Sequence, residues 1–239
     1  MTFIILIAAL LPAILLGWYI WKKDPNPEPM SWILRAILAG VIIVFPAAGI
    51  EMFLSSLLFG GGEPVTLIGS TIQAFFVAAI PEEGLKLLAL YLLLRKNPYF
   101  DEHFDGIVYA VFVSLGFAAI ENIEYVFGTG EDWLGTAVMR ALLAVPGHYA
   151  FAILMGYYYS LYHFVDRSAT NAIKIFAMPV LVHGIYDAIA MSGSVNPIIG
   201  SISFIVLIYF CIKLQRYAQK HIKDLIVKNN ASGSTPVNP

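Results

Sequence analysis

A single cysteine, Cys211, in 239 residues excludes an internal disulfide and any thiolate metal site. Charge is scarce as well. Asp, Glu, Lys and Arg make up 13% of the chain, where soluble domains carry about 25%. Hydrophobic residues fill 59%, and mean hydropathy is +0.77. These values exclude an ordinary soluble domain and describe an integral membrane protein. A net charge of −2 gives no ground for a nucleic-acid partner, and none is expected. The GxSxG elbow of serine hydrolases and the HExxH helix of zinc proteases are both absent. No internal repeat is evident, so a transporter built on inverted repeats gains no support.

Apolar runs long enough to cross a bilayer fall at about 3–21, 33–58, 65–94, 106–127, 134–162, 173–191 and 197–214. The expected fold is therefore all-α: one polytopic domain of about seven transmembrane helices over 1–228, followed by a polar, disordered tail at 229–239. Lys22 and Lys23 follow the first run rather than precede it, which argues against a cleaved signal peptide. Alternate breaks, at 60–64, 128–133 and 192–196, hold no Lys or Arg. Twelve of the 14 basic residues lie on the other side, and the exceptions, Lys86 and Arg140, are inside runs. The positive-inside rule then puts the N-terminus out and the C-terminus in.

The runs are not uniformly apolar. Pro81-Glu82-Glu83-Gly84-Leu85-Lys86 brings three ionisable groups into the third. A charge at the bilayer centre costs roughly 2.5–3.5 kcal/mol on insertion scales. Glu82 and Lys86 are four apart and share a helix face, whereas Glu83 is rotated by about 100° and is expected to lack a partner on its own helix. The fourth run adds Glu121-Asn122, with Glu124 nearer the interface. The fifth adds Arg140, a candidate partner for Glu51 or Glu131, and His148. The sixth adds His183 and Asp187, four apart on one face. Counted from the basic side at about 1.5 Å per residue, the acidic pair, Glu121, His148 and His183 lie about 18, 22, 22 and 13 Å deep. Intramembrane ionisable residues mark function by default, and carboxylates with two histidines suit water activation, a borderline metal or a proton relay. The reading from a different class is an ion-coupled transporter that uses the same groups as the relay.

Four spaced motifs carry a resemblance: Glu82-Glu83-x-x-Lys86, Phe117-x-x-x-Glu121-Asn122, His148 after Arg140, and His183-x-x-x-Asp187, together with the loop at 100–109. The chain resembles the PrsW family of bacterial intramembrane proteases, relatives of the type II CAAX prenyl endopeptidases, over about 80–188. The resemblance implies a multi-pass protein of the bacterial plasma membrane that cuts a single-pass substrate such as an anti-sigma factor, the first cut of a signalling relay. It implies Glu82, Glu83, Glu121, His148 and His183 as catalytic residues, supported by Lys86, Asn122 and Asp187. The wider superfamily has His where this chain has Glu121. Both described mechanisms stay open: a metal-independent glutamic protease, or a zinc enzyme with Glu121, His148 and His183 as ligands. Asp105, just before the fourth run, reads as a helix N-cap.

The orientation is testable by cysteine labelling of sealed cells, in a background without Cys211. Cysteines placed at Gly61 and Gly130 react with an impermeant reagent, and one at Asn97 does not. Labelling at Asn97 contradicts the orientation.

Overall fold

A computed structural model describes residues 2–62, 64–193, 195 and 197–232. Every regular element in it is helical. In order these are α1 (Thr2–Lys23), α2 (Met30–Phe59), α3 (Leu67–Ile72), a π-helical segment (Gln73–Ala79), α4 (Ile80–Leu94) and α5 (Asp105–Gly128). A 3-10 turn (Gly130–Asp132), α6 (Trp133–Met139), a second π segment (Arg140–Ala144) and α7 (Val145–Ser160) follow. A third π segment (Leu161–Val165), α8 (Ala169–Ser192) and α9 (Pro197–Ser232) complete the chain. Six stretches are long and apolar enough to cross a membrane: α1, α2, α5, Gly130–Val165, α8 and Ile198–Lys228. The remaining expected run, 65–94, is not one regular helix but α3, a π segment and α4 end to end. The last helix continues to Ser232, past the point where the tail was expected to begin; 233–239 lie outside the described residues.

The bundle is arranged around α5, the most enclosed of the six stretches, with 78% of its most apolar window buried. α1 and α9 are the least enclosed, at 22% and 17%. Between bilayer-embedded helices, close packing of small residues does much of the work of association. A Cβ on Gly40 of α2 would stand 2.0 Å from the Val113 carbonyl oxygen, and one on Gly116 of α5 2.3 Å from that of Ile37. Further along α5, a Cβ on Gly156 of α7 would stand 2.3 Å from the Gly106 carbonyl oxygen. Two backbone-to-backbone crossings therefore clamp α2 and α7 onto α5.

The connections at 24–29, 95–104 and 161–168 meet on one face, where Asn26 bonds to Glu102 and Phe164 packs on Phe100 and His103. This face carries most of the basic residues. Among them sit buried acids. Desolvation pushes the carboxyls of Asp24 and Glu28 up to about 7.

Substitution should discriminate the crossings from open positions. Gly156→Ala forces helix separation, an overpacking cost of about 1–3 kcal/mol, and lowers the thermal midpoint in detergent. Gly49→Ala, with nothing within 4 Å of the new Cβ, leaves it unchanged. Equal behaviour of the two proteins contradicts the α5–α7 packing.

Candidate active site

Two proline-directed register shifts deliver the first site residues. Proline lacks an N–H and collides with the carbonyl four residues back. Ahead of Pro81 the helix widens, and the Ile80 N–H bonds five residues back to Phe75 O. Ahead of Pro146 it widens again, and the Val145 N–H bonds to Arg140 O. Such π turns occur often at functional sites. Here Glu82 and Glu83 follow one and His148 follows the other.

The Lys86 ammonium lies at the centre of the resulting cluster, 1% exposed. Its three protons meet three acceptors: Glu82 Oε2 at 2.9 Å, Glu83 Oε1 at 2.8 Å and His148 Nδ1 at 3.1 Å. The Phe117 ring lies beneath it, with the centroid 4.3 Å from Nζ. The expectation that Glu83 lacks a partner on its own helix is therefore corrected. Residues three apart also share a helix face, and the flexible lysine stem reaches both carboxylates.

The lysine bond assigns the state of His148. Because Nδ1 accepts from the ammonium, the ring proton is on Nε2 and is donated to Glu121 Oε2 at 2.7 Å. Glu121 Oε1 lies 3.2 Å from Arg140 Nη2, as an ion pair without an aligned hydrogen bond. Arg140 Nε donates to Asn122 Oδ1 at 2.6 Å, and its guanidinium stacks on Tyr125. Arg140 thus pairs with Glu121 rather than with Glu51 or Glu131, the partners expected from the sequence. α5 brings Glu121 within reach of the guanidinium. Asn122 Nδ2 donates to the Ala9 carbonyl at 2.6 Å, which ties α1 to this network.

His183 sits on the other flank. Nδ1 is 2.9 Å from Glu83 Oε1 and Nε2 is 3.1 Å from Asp187 Oδ2. A ring between two ionised carboxylates satisfies both only when both nitrogens carry protons. The ring stacks on Phe151 at 4.6 Å, and its centroid is 5.5 Å from that of His148. The groups from four runs are thus one chain of hydrogen bonds and ion pairs: Arg140, Glu121, His148, Lys86, Glu83, His183, Asp187, with Glu82 on the lysine.

A cavity of about 1260 Å³ borders this chain. Glu51, Glu82, Glu121, His148, His183 and Asp187 face it; Glu83 and Lys86 stand behind its wall. Its rim includes Gly61, Thr129 and Gly193, at the end of the bundle opposite the 24–29 connection. Glu51 of α2 is a site residue that the sequence reading gave only as a partner for Arg140. Its signal was available, since it is a carboxylate inside an apolar run. Asp105 is not an N-cap: Phe104 holds that position, and Asp105 Oδ2 accepts from the Asp101 and Glu102 amides.

Among the described residues, one set of donors gathers tightly enough for a metal. Atoms of Glu82, Glu83 and His183 all lie within 4.8 Å of one another. Glu83 Oε2 is buried and has no hydrogen-bond partner. Two carboxylates and an imidazole with room for water fit a catalytic divalent ion. This set shares only His183 with the ligand trio that the resemblance implies.

The sequence model described as PrsW family intramembrane metalloprotease matches residues 28–214. The chain belongs to the PrsW family. It is 36% identical over 187 residues to Protease PrsW of Geobacillus kaustophilus (strain HTA426), covering 77% of this chain and 79% of that one. Against Protease PrsW of Bacillus subtilis (strain 168) the identity is 36% over 211 residues, 87% and 92% of the two chains. Protease PrsW of Clostridioides difficile (strain 630) is 32% identical over 229 residues, 92% and 94%. No solved structure matches the chain. Membership in the PrsW family makes this an intramembrane protease of a bacterial membrane, and the transporter reading falls.

The Asn122 bridge makes a specific demand. Asn122→Ala leaves the Arg140 Nε proton and the Ala9 carbonyl without their partner, a cost of about 1–3 kcal/mol for each group left unsatisfied. The thermal midpoint falls and α1 becomes more sensitive to added protease. An unchanged midpoint contradicts the bridge.

Proposed function

We propose that this PrsW-family protease cuts a single-pass membrane protein at a peptide bond admitted through the cavity, with Glu82 as the general base. The observation that carries the reading is the arrangement of Glu82: Oε2 is held by Lys86 while the side chain faces the cavity. One oxygen is thereby anchored and the other is left for water. The carboxylate takes a proton as the water attacks the scissile carbonyl. Lys86 counters the charge of Glu82 and Glu83 through two ion pairs, at 2.9 and 2.8 Å. Glu83 positions His183, and the His183 imidazolium, held between Glu83 and Asp187, stabilises the oxyanion and supplies the proton for the leaving amine. Glu121 and His148 fix the attacking water from the opposite side, with Arg140 as the counter-charge. A divalent metal held by Glu82, Glu83 and a His183 that has released its Nδ1 proton would take the place of that imidazolium and would supply Lewis-acid activation of the water.

The substrate we infer is an anti-sigma factor, cut as the first step of regulated proteolysis. The family resemblance supports this, and so does the shape of the cavity, which opens at the end of the bundle where the connections lack Lys and Arg. By the positive-inside rule that end faces outward, where a single-pass receptor-like substrate presents its external stem.

Reconstituted with a single-pass reporter, the wild-type chain cleaves it and Glu82→Gln is slower by about 10²–10⁴-fold in kcat, the usual contribution of a general base. Glu82→Gln keeps an amide oxygen for Lys86 and should stay folded. Full cleavage by a folded Glu82→Gln protein removes Glu82 from the mechanism.

A further inference from the structure

The carboxylates that face the cavity are not equally provided for. Glu82 has Lys86 at 2.9 Å and Asp187 has His183 at 3.1 Å. Glu121 takes the His148 Nε2 proton at 2.7 Å and lies 3.2 Å from Arg140. Glu51 of α2 faces the same cavity, half-buried, and among the described residues it has neither an ion pair nor a hydrogen bond. Arg140 is the one lysine or arginine on the described cavity wall, and it is taken up by Glu121 and Asn122. A charge in an apolar run costs free energy on insertion, and Glu51 has no internal partner to offset it.

The surroundings of Glu51 select what would offset it. On the same wall α2 presents Val44, Ala47, Ala48 and Met52 to the cavity. A long basic side chain lays its aliphatic stem on such a surface and carries its charge at the far end. The charges that act most strongly on Glu51 are Glu82 and Glu121, then Lys86 and His183. Glu51 therefore looks onto the reacting groups, and its foremost electrostatic neighbours are like charges, whose repulsion a cation relieves. Counted at about 1.5 Å per residue, Glu51 lies about 12 Å from the end of α2 at Phe59, and Glu121 about 10 Å from the end of α5 at Gly128. Both ends border the rim, so the two acids stand at a similar level. An extended segment advances about 3.3 Å per residue, which puts the side chain that meets Glu51 within about three residues of the scissile bond.

We propose that Glu51 is the charged end of a substrate subsite that takes a lysine or arginine side chain close to the scissile bond. The subsite depends on the proposed entry of substrate through the cavity and adds to it a sequence preference. The stem of the side chain lies along Val44 and Ala47, and its ammonium or guanidinium pairs with the Glu51 carboxylate. A protease pocket with one acid at its end discriminates in this way, because a neutral residue leaves the acid unpaired. Glu124, exposed nearer the rim, draws the same charge inward. Glu51 is a specificity residue: no step of the hydrolysis passes through it.

The test uses the full chain in proteoliposomes and a set of fluorescent single-pass reporters with an alanine-rich external stem, each carrying Lys, Met or Glu at one position near the cleaved bond. At one of these positions the lysine reporter is cleaved at least about tenfold faster in kcat/KM than the methionine reporter, the scale of a close ion pair. In Glu51→Gln that ratio falls to about one, and in Glu51→Lys the glutamate reporter is preferred. Glu51→Gln loses no internal partner, so it should fold, with a thermal midpoint no lower than that of the wild type. Equilibrium binding to Glu82→Gln reads the subsite apart from hydrolysis: the lysine reporter binds at least about tenfold more tightly than the methionine reporter. That preference holds even where Glu82→Gln still cleaves, so losing the base assignment and losing the subsite are distinct results. Equal cleavage and equal binding of the lysine and methionine reporters at every position overturns the subsite. So does an undiminished lysine preference in Glu51→Gln, with or without a lower midpoint. A wild type that neither cleaves nor binds any reporter overturns the substrate entrance and the subsite together.

Discussion

A single buried ammonium holds the centre of this protein together. Lys86 is surrounded by two carboxylates and an imidazole, and its three hydrogen bonds use all of its protons. Removing one member of a buried ion pair typically costs about 3–5 kcal/mol, because the other is left uncompensated. Here the loss would spread. Without Lys86, Glu82 and Glu83 face each other unshielded, and His148 Nδ1 loses the donor that sets its tautomer. The proton on His148 Nε2, and with it the bond to Glu121, follows from the lysine. Catalytic geometry and helix packing are thus one interaction.

The fold supplies the conditions that let such a charge persist in a membrane. Glycine crossings bring α2 and α7 into backbone contact with α5, close enough for side chains from separate helices to meet at 2.7–3.2 Å. Aromatic rings, Phe117 under the lysine and Phe151 against His183, fill the space that polar groups leave. The cavity then meets one side of the cluster. Glu82, Glu121, His148 and His183 line it, whereas Glu83 and Lys86 lie buried behind them. This division separates the groups proposed to act on substrate from those that hold them in place.

Much of this was legible in the sequence. Charge in an apolar run is costly, so Glu82, Glu83, Lys86, Glu121, His148 and His183 stood out, and a common depth of about 13–22 Å implied one site. Helix-face arithmetic found the pairs Glu82–Lys86 and His183–Asp187. It missed Lys86–Glu83 because it counted one favoured spacing where a long side chain can use two. It misplaced the partner of Arg140, since which helices adjoin is decided by packing and not by spacing along the chain. The π segments were missed too, although Pro81 and Pro146 stand inside apolar runs and each removes a helical hydrogen bond. The burial of Asp24, Glu28 and Asp105 was unreadable, because the sequence shows the first two only as loop residues and the third only as a helix cap.

The most direct test of the lysine-centred account is a double-mutant cycle. Unfolding free energies are measured in mixed micelles for the wild type, Lys86→Met, Glu83→Gln and the double variant. If the ammonium exists to balance the buried carboxylates, each single change is costly, and the double change costs less than their sum by more than about 1 kcal/mol, within the range for groups in contact. Costs that simply add would show that Lys86 and Glu83 act independently, and the account of one charge organising the site would fail.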